Sequence, residues 1–151
     1  EVIDAAVQKY PSTQKRSAVL AALHEVQHEN KGFPTEPLMD AVAVYLDMSP
    51  IAVYEVASFY SMFETNPVGL HSISICTNVS CMLRGSDQII EHIEKSLDVK
   101  IGGSTADGRI YLKREEECLA ACCGAPMMMV NHVYHENLTP EKVDEILAKL
   151  K

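Results

Sequence analysis

The side chains best suited to chemistry in this chain are its five cysteines, all between residues 76 and 123. Four of them form two pairs, Cys76-x4-Cys81 and Cys118-x3-Cys122, and Cys123 follows directly. Clustered thiolates at such spacings hold soft or borderline metals. A [2Fe–2S] cluster takes four thiolates, two per iron, and suits loop cysteines with small neighbours whose backbone N–H groups can turn toward sulfur. Thr77, Asn78, Ser80, Ala120, Ala121 and Gly124 are such neighbours. Structural zinc also accepts ligand pairs of this kind. Disulfides or free structural thiols are a third possibility, although an odd number of clustered cysteines makes a poor disulfide framework. The cluster ranks first and zinc second. Cys118-x4-Cys123 repeats the spacing of the first pair, so local spacing does not choose between Cys122 and Cys123. Adjacent side chains diverge, which argues against both on one iron. The odd cysteine then reads as a small buried hydrophobe.

A second constellation is His24-Glu25-Val26-Gln27-His28, an H-E-x-x-H pattern. On a helix its histidines lie one turn apart and could share zinc, with Glu25 as general base and Asp47 as a conceivable third ligand. A short motif with two free positions arises easily by chance. The polar neighbours Gln27, Glu29, Asn30 and Lys31 favour a solvated helix face instead. Met127-Met128-Met129 reads as gap-filling core on a strand rather than a soft-metal site. Ala125-Pro126 precedes that strand, with its peptide isomer undetermined by sequence. Glu115-Glu116-Glu117 reads as a solvated loop, with partner docking as the lesser alternative.

Two kinds of segment must position these residues. Residues 1–66 read as helical. A short helix over 1–9 ends at Tyr10-Pro11. A longer one over 13–29 has Val19, Leu20, Leu23 and Val26 at helical spacing, and Gly32 suits a left-handed cap. Thr35 caps a helix to Leu46 with Leu38, Met39, Val42 and Tyr45 or Leu46 as its apolar stripe. Ser49-Pro50 starts another, expected to run to Phe63 and to bury Ile51, Val53 or Tyr54, Ala57, and Tyr60 or Met62. Tyr54, Phe59 and Tyr60 are expected in the core. An antiparallel cluster is the natural packing.

The pattern changes at Asn66-Pro67-Val68-Gly69. Residues 71–75 alternate as a strand and run into Cys76. A helix over 86–97 places Ile89, Ile90 and Ile93 on one face. Strands follow over 109–113, 127–130 and 133–134, with Asn131-His132 as a hairpin turn. Thr139-Pro140-Glu141 opens a last helix. Each cysteine pair is expected in a loop at a strand end, and both loops can open at one edge of the sheet. The fold class is therefore α+β, with a helical domain over 1–67 and an α/β domain over 68–151.

The stretches ISICTNVSCMLRGSD (residues 73–87) and EECLAACCGAPMMMVN (residues 116–131) resemble the 24-kDa subunit family of NADH:quinone oxidoreductase, respiratory complex I. VYEVASFYSMFETNPVG (residues 53–69) and NLTPEKVDEIL (residues 137–147) are similar to it too, so the likeness spans nearly the whole chain in order. The resemblance implies a helical domain followed by a thioredoxin-like domain with one [2Fe–2S] cluster. It implies Cys76, Cys81, Cys118 and Cys122 as the ligands and makes Cys123 a bystander. It also implies docking on a flavin subunit that oxidises NADH on FMN and passes one electron to this cluster, with quinone as the complex's final acceptor. This chain has no glycine-rich nucleotide fingerprint, so FMN and NADH are expected on the partner. Relatives of this family also serve NAD-dependent formate dehydrogenases and hydrogenases. An alternative of another class is a zinc-stabilised adaptor. The helical domain is expected to dock on the partner, because the other domain is occupied with the cluster.

Composition limits the remaining options. The 151 residues are 47% hydrophobic and 23% charged, a globular composition. Twenty-one acids against 13 bases leave a net charge of −8, which argues against a nucleic-acid or anionic-membrane surface. No apolar run approaches the roughly 20 residues of a membrane helix. No signal peptide is evident. A soluble, peripheral subunit of a membrane-bound complex is expected, cytoplasmic or, in a eukaryote, in the mitochondrial matrix. The acidity suggests a low reduction potential, with Glu117 as one contributing charge.

Overall fold

A computed structural model of the chain describes residues 1–113 and 118–151. The acidic run Glu115-Glu116-Glu117 lies outside the described residues, and with it the roles read there for docking and for Glu117. The chain divides into two compact units, Glu1–Pro67 and Val68–Lys151.

The first unit holds α1 (Val2–Val7), α2 (Val19–Glu29), α3 (Glu36–Leu46) and α4 (Pro50–Phe59). The long helix expected over 13–29 is broken. Ser12–Ala18 winds as a 3-10 segment with Gln14 off helical geometry (φ −121°, ψ 30°), and the α-helix begins only at Val19. Lys31 and Gly32 both take left-handed backbone where α2 ends, and the Gly32 N–H closes on the Gln27 carbonyl at 2.9 Å. Asp47 ends α3 in the same conformation (φ 59°). Pro50 opens α4 after an extended Ser49.

α4 stops at Phe59, four residues before the expected end, because Tyr60 turns extended. That turn returns Phe63 to the core, where its ring meets His24 at 5.0 Å between centroids. Gln27 holds the return: its amide donates to the Met62 carbonyl at 3.0 Å and accepts from the Glu64 N–H at 2.9 Å. Leu23, Met39, Val42, Ala43, Leu46, Val53 and Ala57 form the core of the unit. The aromatic side chains of α4 and its end do not join it. Phe59 is 80% exposed, Ile51 63% and Tyr54 45%, and Tyr60 and Met62 are exposed as well. Val53 and Ala57, one turn apart, take the inward face, which turns Ile51, Tyr54 and Ser58 outward.

The second unit is built on a four-stranded sheet: β1 (His71–Ile75), β2 (Ile110–Leu112), β3 (Met128–Val130) and β4 (Val133–His135), in the order β2-β1-β3-β4. β1 runs parallel to β2 and antiparallel to β3, and β3–β4 is a hairpin. Asn131 and His132 turn it, both at positive φ. A parallel neighbour requires a crossover, which α6 (Ser86–Leu97) supplies after the short α5 (Val79–Leu83). α7 (Pro140–Leu147) closes the chain, with the Thr139 hydroxyl accepting from the Lys142 N–H at 3.3 Å. Ile73, Ile75, Ile110, Leu112, Met128 and Val130 on the sheet pack against Ile89 and Ile93 of α6 and Val143, Ile146 and Leu147 of α7. The burial of each such side chain contributes about 1.5–3 kcal/mol. The α+β class expected from the sequence is the observed one. No single helix among the described residues is long and apolar enough to cross a membrane.

Candidate metal centre

Parallel pairing of β1 and β2 brings their C-terminal ends to one edge of the sheet, where both cysteine segments start. Cys76 directly follows β1, and its N–H extends the pairing with β3 by donating to the Met127 carbonyl at 3.2 Å. Cys81 does not sit in a loop, as expected from the sequence, but on α5. Asn78 caps that helix by accepting from the Val79 N–H at 2.9 Å. The single turn buries Cys81 completely and leaves Val79, Met82 and Leu83 facing solvent. Gly85 (φ 92°) lets the chain reverse into α6.

The second segment returns to the same edge. Ala120 adopts left-handed backbone (φ 63°), a conformation that costs a side-chain-bearing residue about 1 kcal/mol. In that geometry its N–H points at the Cys118 sulfur, 3.3 Å away. Cys122–Gly124 forms a 3-10 turn, closed by the Gly124 N–H on the Ala121 carbonyl at 3.0 Å. Ala125-Pro126 is a cis peptide. Met127 and Met128 are core, as the sequence suggested.

Cys76, Cys81, Cys118 and Cys122 are brought together. The sulfurs of Cys118 and Cys122 stand 3.3 Å apart, and the Cys76 thiol interacts with those of Cys81 and Cys118. Cys81 in turn feels the charges of Cys76 and Cys122. The quartet has a buried side and an open side. Cys76 and Cys81 are buried with Ala125 and Met127, while Cys118 and Cys122 are exposed. Cys123 is also exposed, which corrects its reading as a buried hydrophobe.

The electrostatics follow that asymmetry. Burial pushes the Cys81 thiol up to about 11, reinforced by its bond with Cys76. Cys76 is also penalised by burial, but the backbone N–H groups of Leu119 and Asn78 and the neighbouring thiols outweigh that and hold it below the ordinary thiol value. At Cys118 the Ala120 N–H favours the thiolate, yet the Cys122 thiol and desolvation prevail and raise it. Within the buried pair the thiolate is therefore favoured on Cys76 over Cys81. Backbone N–H groups turned toward sulfur are what a thiolate-ligated cluster needs, so these residues fit a [2Fe–2S] group. All five cysteines are free thiols in this structure. Among the described residues no three or more His, Cys, Asp or Glu side chains group as ligands of a single ion.

The H-E-x-x-H segment does not form a site. His24 packs on Phe63, His28 lies 3.8 Å from Glu29, and Gln27 is committed to the backbone at 62 and 64. Three features of the cysteine site were missed by sequence reasoning: the helical setting of Cys81, the left-handed Ala120, and the packing of Glu136 on Gly124. Asn78 as a cap was a usable signal for the first. Local sequence carries none for the others.

The family described as thioredoxin-like [2Fe–2S] ferredoxin matches residues 3–151. A subunit of the NADH-quinone oxidoreductase of Rickettsia bellii (strain RML369-C) is 43% identical over 145 residues, covering 96% of this chain and 86% of the relative. A subunit of the NADH-quinone oxidoreductase of Rhizobium meliloti (strain 1021) is 40% identical over 151 residues, covering 100% of this chain and 88% of the relative. Among solved structures, an NAD+-reducing [NiFe]-hydrogenase in the H2-reduced state superposes with a TM-score of 0.76 at 22% identity, over 87% of this chain and 22% of that chain. This last likeness is one of fold.

Proposed function

Because the chain belongs to the thioredoxin-like [2Fe–2S] ferredoxin family, with that cluster as its cofactor, we propose that it is an electron-transfer subunit of an NADH–quinone oxidoreductase and takes single electrons from the reduced flavin of a partner subunit. The observation that carries this reading is the convergence of Cys76, Cys81, Cys118 and Cys122 at one sheet edge, in a chain 40–43% identical to the Rhizobium and Rickettsia relatives along nearly its whole length. When bound, the cluster supplies a one-electron couple.

The residues around it supply ligation, burial and hydrogen bonds. Cys76, Cys81, Cys118 and Cys122 are the proposed ligands. Ala125, Met127 and Leu119 exclude water from the inner pair. The N–H groups of Asn78, Leu119, Ala120 and Met127 offset negative charge on sulfur. Nicotinamide and flavin belong to the partner on this reading, and the chain itself carries electrons rather than catalysing hydride transfer. The exposed Ile51 and Phe59 of α4 support the helical unit as a docking element. A partner in formate dehydrogenase or hydrogenase is the lesser reading, since the hydrogenase likeness stops at 22% identity.

The test is anaerobic purification followed by visible absorption and EPR before and after dithionite. Bands that bleach on reduction, with a rhombic S = 1/2 signal, are expected. A colourless protein with stoichiometric zinc, refractory to iron and sulfide, would replace this reading with the adaptor.

A further inference from the structure

We propose that Glu136 sets the potential of the cluster site by holding one carboxylate against the turn that carries Cys122. The inference rests on the proposed ligand set. Gly124 ends the Cys122–Gly124 turn and is buried. A Cβ built on Gly124 would stand 2.5 Å from the Cβ, the Cδ and Oε2 of Glu136. The space a side chain would occupy at 124 is therefore filled by the Glu136 side chain, carboxylate included.

Two main-chain bonds hold residues 136–138 beside the turn, and a third bond ties them to α7. The Asn137 N–H donates to the Gly124 carbonyl at 2.6 Å, and the Leu138 N–H donates to the Pro126 carbonyl at 2.9 Å. The Lys142 ammonium donates to the main-chain oxygen of Glu136 at 2.5 Å. Residues 136–138 are thus laced to the cysteine turn by main-chain bonds. The backbone at 136 is thereby held beside the turn, and the exposed carboxylate lies where a side chain on Gly124 would stand.

The electrostatic consequence has a definite sign. Four thiolates, two ferric ions and two sulfides carry a net −2, and one-electron reduction adds a further negative charge. A carboxylate held close by disfavours that addition more than it disfavours the oxidised form, and so lowers the potential. Glu136 is exposed, so solvent screens part of the interaction. A unit charge about 7 Å away, at an effective dielectric constant of about 40–80, changes the reduction equilibrium about three- to tenfold. A tenfold change corresponds to about 59 mV for a one-electron couple.

The test is an EPR-monitored redox titration of the cluster-loaded full chain, comparing wild type with Glu136→Gln, Glu136→Asp and Asp98→Asn. Glutamine keeps the packing on Gly124 and removes only the charge. Aspartate keeps the charge. Asp98 ends α6 in left-handed backbone that asparagine also tolerates, and the crossover places it at the sheet edge opposite the cysteines. The expected result is a raised potential in Glu136→Gln, a potential near wild type in the other two, and a gap that narrows as salt increases. Glu136→Gln titrating with wild type, or Asp98→Asn shifting equally, would overturn the proposal. Loss of the cluster in Glu136→Gln alone would make the residue structural and overturn it too. A wild-type protein without a cluster signal would instead remove the ligand reading on which it rests.

Discussion

The buried and open sides of the cysteine quartet predict an order of thiol reactivity, and with it a direct test of the ligand assignment. The perturbation is removal of the cluster under anaerobic reducing conditions, followed by timed alkylation with iodoacetamide at about pH 8. The thiolate is the nucleophile. Cys81, pushed up from 9.0 to about 11 by burial and its bond with Cys76, holds about a hundredfold less thiolate than an ordinary thiol at that pH. A more basic thiolate is also the better nucleophile, and a Brønsted slope of about 0.4–0.5 returns roughly tenfold. The net chemical handicap is therefore about tenfold, before the complete burial of Cys81 adds its own. Peptide mass spectrometry should find Cys118, Cys122 and Cys123 modified first and Cys81 last. With the cluster in place, Cys123 should be the one cysteine that still reacts. Equal rates for Cys81 and Cys123 in the cluster-free protein would refute the burial argument. Protection of Cys123 with modification of Cys122 would reverse the assignment of the fourth ligand.

Gly124→Ala places a Cβ 2.5 Å from Glu136 atoms that include its Cβ, so the Cys122 turn must shift; cluster release to a chelator should quicken several-fold, and adding Glu136→Gly, which removes that Cβ, should restore it where Glu136→Ala should not. Ile93→Ala opens a cavity at a fully buried position between α6 and the sheet and should cost about 2–5 kcal/mol in denaturant unfolding; a loss below about 1 kcal/mol would contradict that packing. Thr139→Ala removes the cap of α7 and should cost about 0.5–1 kcal/mol, the low end of the range because the bond is 3.3 Å long, while Thr139→Ser should keep most of it. His135 is held below its ordinary value of 6.5 by burial and by the charges of Lys142 and Lys149, so the folded protein binds this proton less readily than the unfolded chain. Its contribution is intact above the unfolded value and is lost as pH falls through the lower folded one, so, Asp and Glu titrations aside, urea unfolding of His135→Gln should lose less stability than wild type over that window.

The parts of this molecule that were legible in the sequence are those fixed by local chemistry. Ser86 to Leu97 reads as a helix because Ile89 and Ile93 recur at helical spacing, and the structure has it with those bounds. Asn131-His132 reads as a hairpin turn, and Thr139-Pro140 as a helix start, because each residue type suits the backbone it adopts. What could not be read depends on distant partners. α4 stops early because Gln27, more than thirty residues away in sequence, offers its amide to the chain at 62 and 64. The same contact makes Gln27 structural rather than part of a solvated face. From helical spacing Ile51, Tyr54 and Phe59 are expected in the core, whereas Val53 and Ala57 take it and those three lie outside. At the cysteines, types and spacing were legible while burial was not. No local pattern distinguishes buried Cys81 from exposed Cys122.

That difference in burial bears on how the potential is set. The sequence suggested that a net charge of −8 would depress it. Charges spread over a surface are screened beyond about 8–10 Å at ordinary salt, so most of those acids act weakly on one site. Groups in contact with the sulfurs are screened far less. The N–H groups of Asn78, Leu119 and Met127 face the buried pair, where low polarity strengthens each bond. They favour negative charge on sulfur and so favour the reduced form. Burial opposes them by penalising the same charge. On the open side, the Ala120 N–H reaches Cys118 through a strained backbone, and Glu136 lies against the Cys122 turn. The potential is therefore a contest among a few local donors, one local carboxylate and the apolar wall of Met127 and Ala125, and the overall acidity of the chain is a minor partner in it. Adding or removing a distant surface acid should leave the midpoint nearly where it was, whereas moving one N–H or one carboxylate at the sheet edge should not.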